Sequence, residues 1–195
     1  AGLLSKKPGI VHIHVGPDPH GIEMILDIIR NTDIPAKHFR PTHMGRHPAQ
    51  AVELTKLGGY ADFTASDSTP ALLARLCREA NPNLLTMSSD SNGSMPKWND
   101  RMEMVGITAA KMTTLYESTR KLVTDCAMPL QQAVRFTTIN VAKGLELYPR
   151  KGCLAAGSDA DLVLLDGGLQ VDTVMTMGRL MMRDGEVLVK GTFED

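Results

Sequence analysis

The sequence predicts an α/β fold of four successive β-α units, followed by a small antiparallel β region. Three observations predict it. Short, turn-bounded apolar segments alternate with amphipathic stretches through the first 150 residues, the pattern of a parallel sheet or half of a barrel. Beyond residue 150 the chain changes to short strands joined by Gly-rich turns, the pattern of antiparallel pairing. No internal repeat or low-complexity tract interrupts either part.

Each element follows from its own residues. "GIVHIHVG" (9–16) is short and β-branched, as a buried parallel strand should be. "GIEMILDIIRNT" (21–32) carries Ile22, Ile25, Leu26 and Ile29 as a helical stripe. "HFRPTHMG" (38–45) is a second extended segment, and "PAQAVELTKLGG" (48–59) a helix closed by glycine. "YADFTASD" (60–67) alternates like a strand, and "TPALLARLCREAN" (69–81) opens with Thr and Pro in the manner of an N-cap and first turn. "NLLTMSSD" (83–90) reads as the fourth strand. A polar loop is expected over 91–100, then helices over 107–125 and 129–144. In the last part, Asp184-Gly185 is a hairpin signal.

Composition narrows the function. With a formal net charge of −1 over 195 residues, nucleic acid and anionic membrane surfaces are poor partners. No apolar run approaches the ~18 residues of a membrane span. Cys77, Cys126 and Cys153 are odd in number and widely spaced, which points to free thiols and a cytoplasmic setting. The chain opens on "AGLLSKKPG" rather than methionine, which suggests that it starts partway through a longer protein.

The candidate chemistry lies at the strand ends, where parallel α/β folds collect functional residues. All six histidines (12, 14, 20, 38, 43, 47) fall in the first quarter of the sequence. His14 ends the first strand, His43 the second and Asp90 the fourth, each followed at once by a loop. Two imidazoles and a carboxylate from neighbouring strand ends suit zinc or a similar divalent metal; singly, each also reads as a polar rim residue. His12 points to the same face as His14 but one layer deeper, and reads as a hydrogen-bonded core histidine more than as a ligand. His20 and His47 read as helix starts and His38 as a surface residue. Arg46 could hold a substrate carboxylate through its planar fork or be a solvated loop arginine. Ser94, in "SSDSNGS", could bind substrate or simply turn the chain. The cysteines have no base beside them and read as structural.

In order along the chain, "AGLLSKKPGIVHIHVG", "RPTHMGR", "LGGYADFTASD", "TMSSDSNGS", "GCLAAGSDADLVLLD" and "VLVKGTFED" resemble the C-terminal half of the isoaspartyl (β-aspartyl) dipeptidase family, within the amidohydrolase superfamily of metal-dependent (β/α)8 barrels. The likeness covers essentially the whole chain. "GSDADLVLLD" alone would indicate only the superfamily; the combination of "PTHMGR", "SSDSNGS" and the terminal "KGTFE" is specific to the dipeptidases.

The resemblance implies a fold and roles. Residues 1–150 would be strands five to eight of a TIM-type barrel with their helices, and 151–195 part of a small β-sandwich-like domain. His14 and His43 would hold the more exposed of two metals, zinc or another divalent ion. Asp90 would ligate the other metal and, as the catalytic base, take a proton from a metal-bound hydroxide. Arg46 and Ser94 would contact the dipeptide. The family's strand-one histidine pair, bridging lysine and catalytic tyrosine have no counterpart in this chain. Only about 75 residues lie between His14 and Asp90, against about 250 for a whole barrel, so His12 and His14 are not that strand-one pair. The expected partners are therefore a small dipeptide, the missing N-terminal half of the barrel and, in an oligomer, further copies. Spacing alone fits a D-aminoacylase or a dihydroorotase equally well. An inactive half-barrel subunit or interaction module is the more distant alternative. Alone, the chain is expected to be inactive and aggregation-prone, with Ile13 or its neighbours and Leu85 exposed on the inner face.

Overall fold

The computed structural model describes residue 2 and residues 4–191. The end of the "KGTFE" motif lies outside them.

Four short parallel strands position everything that follows. β1 (Val11–His14) pairs with β2 (Phe39–Thr42) in the register Val11↔Phe39 to His14↔Thr42. β3 (Ala61–Thr64) pairs with β4 (Leu85–Ser88) in the register Ala61↔Leu85 to Thr64↔Ser88. Among the described residues no backbone ladder joins β2 to β3. Side chains join them instead. Asp62, a buried carboxylate, accepts from Thr42 Oγ1 at 2.7 Å across β2. It also accepts from Thr86 Oγ1 at 2.7 Å and Ser88 Oγ at 2.5 Å on β4. A buried carboxylate costs free energy unless its oxygens are filled; three hydroxyls fill these.

Period-two alternation gives the strands two unlike faces. Phe39, Ala61, Phe63, Leu85 and Met87 are buried beneath the helices, with Ile13 packed against them. The opposite face carries His12, His14, Thr42, Asp62, Thr64, Thr86 and Ser88. Leu85 is therefore fully buried and Ile13 belongs to the core side, contrary to the expectation that they would line the open face. One residue of register decides this, because Leu85 shares its face with Met87 and not with Thr86.

The helices supply the other half of the core. α1 (Glu23–Asn31) buries Ile25 and Leu26, and Ile22 at its N-cap is buried with them. α2 (Pro48–Lys56) buries Ala51 and Leu54. It stops in a paired-bond C-terminal motif: Gly59 N donates to Leu54 O at 2.9 Å and Gly58 N to Thr55 O at 3.2 Å. Gly58 has a φ of +87°, the left-handed conformation that motif requires. α3 (Thr69–Leu76) starts one residue earlier than expected, with Ser68 rather than Thr69 at the N-cap. The Thr69 hydroxyl reaches back to Thr64 O at 2.6 Å and so ties the helix start to β3.

Two expectations fail between residues 91 and 144. The supposed polar loop and helix start form a hairpin, β5 (Ser94–Trp98) with β6 (Met104–Ala109). Its turn is held by Asn99, whose Oδ1 accepts from the backbone of Arg101 at 2.9 Å and Glu103 at 3.0 Å. This side-chain-made turn sits between segments whose apolar residues mimic a helical stripe. The helix α4 begins only at Thr114 and runs Thr114–Thr124. The expected helix over 129–144 is broken into α5 (Leu130–Ala133), a tighter turn over Val134–Phe136, and α6 (Ile139–Gly144). Thr137 and Thr138 both bond back to Val134 O, at 3.2 and 2.6 Å, a competition that interrupts helices. Asn140 then fastens α6 to the sheet by donating to Pro82 O and Leu85 O, both at 2.8 Å.

The last strands, β7 (Leu162–Leu165), β8 (Val171–Thr176), β9 (Arg179–Arg183) and β10 (Glu186–Val187), form an antiparallel sheet in the order β10-β9-β8-β7. Asp184 and Gly185 turn β9 into β10 with φ values of 51° and 79°, as their hairpin signal implied. Lys151 pairs with Asp159 at 3.0 Å and also with Asp161, which itself accepts from Met177 N at 2.8 Å.

Candidate active site

The first two strand ends meet. His14, the last residue of β1, places Nδ1 3.0 Å from Nε2 of His43, just beyond β2. The rings lie 5.1 Å apart and tilted by 55°. His12 stands behind His14, edge to face at 4.9 Å, and is exposed on the open face rather than in the core.

His43 is aimed by its backbone and by a hydroxyl. Its φ of 64° is left-handed, a conformation that costs a non-glycine residue about 1–3 kcal/mol. That turn swings the ring between β1 and β3, where its Nδ1 lies 2.7 Å from Thr64 Oγ1. The segment is then laced to the end of β1. Arg46 Nη1 donates to Val15 O at 2.8 Å, and His47 Nε2 lies 3.1 Å from Gly16 O. The same loop packs against the turn before α1, where a Cβ on Gly21 would lie 2.8 Å from His47 Cγ.

Burial holds the His43 imidazole below its ordinary range, and the nearby charges of Arg46 and His14 lower it further, while Asp90 and Asp62 oppose them. A lowered pKa favours the neutral ring, the form with a lone pair to offer.

Asp90 lies two residues beyond β4 with a φ of 50°. Its carbonyl accepts from Gly93 N at 3.1 Å, and a Cβ at Gly93 would sit 2.9 Å from that same oxygen. Ser94 follows, exposed at the base of the β5–β6 hairpin.

The sequence-predicted residues are thus brought together unequally. His14 and His43 are in contact, and Arg46 stands beside them, anchored to β1. Asp90 acts on His43 through its charge. Among the described residues no three His, Cys, Asp or Glu side chains stand close enough to hold a metal together. The pair alone still fits one. A zinc ion about 2.0–2.1 Å from each of two imidazole nitrogens would span a gap of roughly 3 Å, and His14 Nδ1 and His43 Nε2 are separated by 3.0 Å. Of the remaining histidines, His20 pairs with Glu23 at 3.0 Å and His38 Nδ1 lies 2.7 Å from Gly9 O, half-buried rather than on the surface.

Two residues escaped the sequence reading. Thr64 orients His43, and Asp62 ties β2, β3 and β4 together. The available signal was "ADFT", in which a carboxylate and a hydroxyl share one face of a strand whose other face is Ala61 and Phe63.

Comparison with known proteins gives a consistent result. The amidohydrolase family profile matches residues 10–185. Two structures of a β-aspartyl dipeptidase from Fervidobacterium islandicum AW-1 superpose on it. One is in complex with the β-Asp-Leu dipeptide and has a TM-score of 0.88 at 33% identity, covering 98% of this chain and 52% of the dipeptidase. The other has a TM-score of 0.84 at 30% identity, covering 98% and 50%. An L-hydantoinase of Paenarthrobacter aurescens is 27% identical over 184 residues, which is 88% of this chain and 38% of the hydantoinase. The chain therefore spans about half or less of the length of these relatives.

Proposed function

Because the chain belongs to the amidohydrolase family, and its strand ends present a paired His14 and His43, we propose that it forms one half of a metal-dependent hydrolase that cleaves β-aspartyl dipeptides. The observation that carries this reading is the match to a β-aspartyl dipeptidase over 98% of the chain. In this reading β1 to β4 are strands five to eight of a (β/α)8 barrel, and the other half supplies the remaining donors.

His14 and His43 would hold one divalent ion through Nδ1 and Nε2. When bound, such ions lower the pKa of water toward neutrality and polarise a carbonyl oxygen. The chain's own residues supply the rest. Asp90 would accept a proton from the attacking water and pass it to the departing amine, the work of a general acid-base group. Arg46 uses Nη1 on Val15 O, which fixes its guanidinium and leaves other N–H groups for a substrate carboxylate in a planar, paired contact. Ser94, four residues past Asp90, would contact the same substrate. A β-aspartyl dipeptide retains a free α-carboxylate beside the scissile amide, a group that Arg46 can select.

Cyclic amide hydrolysis is the second reading, favoured by the similarity to an L-hydantoinase. The deciding assay supplies the metal-loaded protein, together with its complementary half, with β-Asp-Leu, α-Asp-Leu and hydantoin. Turnover of β-Asp-Leu well above the other two is expected. Ring opening of hydantoin with no cleavage of β-Asp-Leu would replace the first reading with the second.

A further inference from the structure

We propose that Thr64 is a positioning residue for metal binding: its hydroxyl holds His43 in the tautomer protonated at Nδ1, so that the Nε2 lone pair points at the ion. This rests on the function proposed above.

His43 Nδ1 and Thr64 Oγ1 are 2.7 Å apart. Either the ring nitrogen donates to the hydroxyl oxygen, or the hydroxyl donates to the ring. In a neutral imidazole the choice fixes the other nitrogen as well. If Nδ1 donates, Nε2 is bare where it faces His14 Nδ1 at 3.0 Å. If the hydroxyl donates, Nε2 carries a proton in that same gap, and no cation can be shared there. Only the first arrangement is compatible with joint ligation. Ligating histidines commonly donate their second nitrogen's proton to a neighbouring oxygen in this way.

Three features hold the hydroxyl in place. Thr64 is β-branched and stiff at χ1. Its backbone pairs with Ser88 in the β3–β4 ladder. Its carbonyl accepts from Thr69 Oγ1 at 2.6 Å, which pins the strand end to α3. On the other side, the left-handed backbone of His43 gives the ring a direction but does not choose its tautomer. Thr64 alone supplies a polar partner at Nδ1 among the described contacts of that atom.

The test uses the active protein stripped of metal and titrated with Zn2+. Long-range 1H–15N spectra of the metal-free protein, recorded above the ordinary imidazole range, should show His43 protonated at Nδ1. Thr64→Val keeps the branched shape and removes the acceptor. It should weaken Zn2+ binding at His43 by about 10–100-fold and populate the Nε2–H form, while Thr64→Ser restores both. A purely structural role would lower thermal stability without moving the tautomer. Wild-type His43 protonated at Nε2 overturns the proposal, whether or not Thr64→Val folds. So does Thr64→Val binding Zn2+ at His43 within twofold of wild type. If Zn2+ leaves the His14 and His43 resonances unmoved in the wild type, the metal reading itself fails and takes this proposal with it.

Discussion

The two ends of the candidate site are built to different standards. At the β1–β2 end, His14 and His43 touch each other, and His43 is braced by Thr64 on β3. Arg46 and His47 lace the second loop to the first strand. At the β4 end, Asp90 and Ser94 sit where the chain leaves the sheet for a hairpin whose Trp98, Met104, Val105 and Ile107 are more than half exposed. The imidazole pair is held by secondary structure and side-chain bonds; the Asp90 carboxylate depends on a tight turn at Gly93. If His14 and His43 hold the metal and Asp90 moves the proton, as proposed, the ligand pair is the rigid part of the site and the proton carrier the adjustable one. Loops carry function at the cost of local stability.

Substitutions that strike each end separately should expose the contrast. Asp90→Asn keeps the shape and removes the proton acceptor, so kcat on β-Asp-Leu should fall about 100- to 10,000-fold with little change in the denaturation midpoint. A variant with normal kcat would show that Asp90 is not the base. Asp62→Ala should do the reverse. It orphans three hydroxyls and unties β2 from β3, lowering stability by about 3 kcal/mol in urea titration. A stability loss below about 0.5 kcal/mol would mean that the side-chain bridge does not hold the two ladders together.

The pattern of what was legible beforehand follows the same divide. The four strands announced themselves through "VHIH", "FRPT", "ADFT" and "LTMS", because turns bound each run and period two leaves apolar residues on one side. His14, His43 and Asp90 could be singled out because strand ends are countable. The hairpin was hidden, since the turn at Asn99 is made by a side chain accepting two backbone N–H groups, and the apolar spacing around it is ambiguous between helix and strand. Thr64 and Asp62 were hidden for another reason. Alternation says that a residue faces inward, but not which hydroxyl meets which ring across three strands. Arg46 was recognised as a candidate, whereas its anchor on Val15 O is a tertiary contact that spacing cannot give.

Smaller effects should refine the comparison. Arg46→Ala should raise KM for β-Asp-Leu roughly 10-fold, about 1.4 kcal/mol of binding, with kcat reduced less. A large kcat loss at unchanged KM would place Arg46 in the transition state instead. Ile107→Ser, at 69% exposure on the hairpin, should change stability by no more than about 0.5 kcal/mol. Amide exchange across residues 94–109 should be faster than across 61–64 in the wild-type protein. Equal protection in the two segments would contradict the rigid-and-adjustable division.

The most direct test of the account is a crystal of the active protein grown with Zn2+ and measured at the zinc absorption edge. The account expects an anomalous peak bonded to both His14 Nδ1 and His43 Nε2, about 2.0–2.1 Å from each, with Thr64 Oγ1 still against His43 Nδ1. Full zinc occupancy elsewhere, with the two imidazoles still hydrogen-bonded to each other in the active protein, would contradict it.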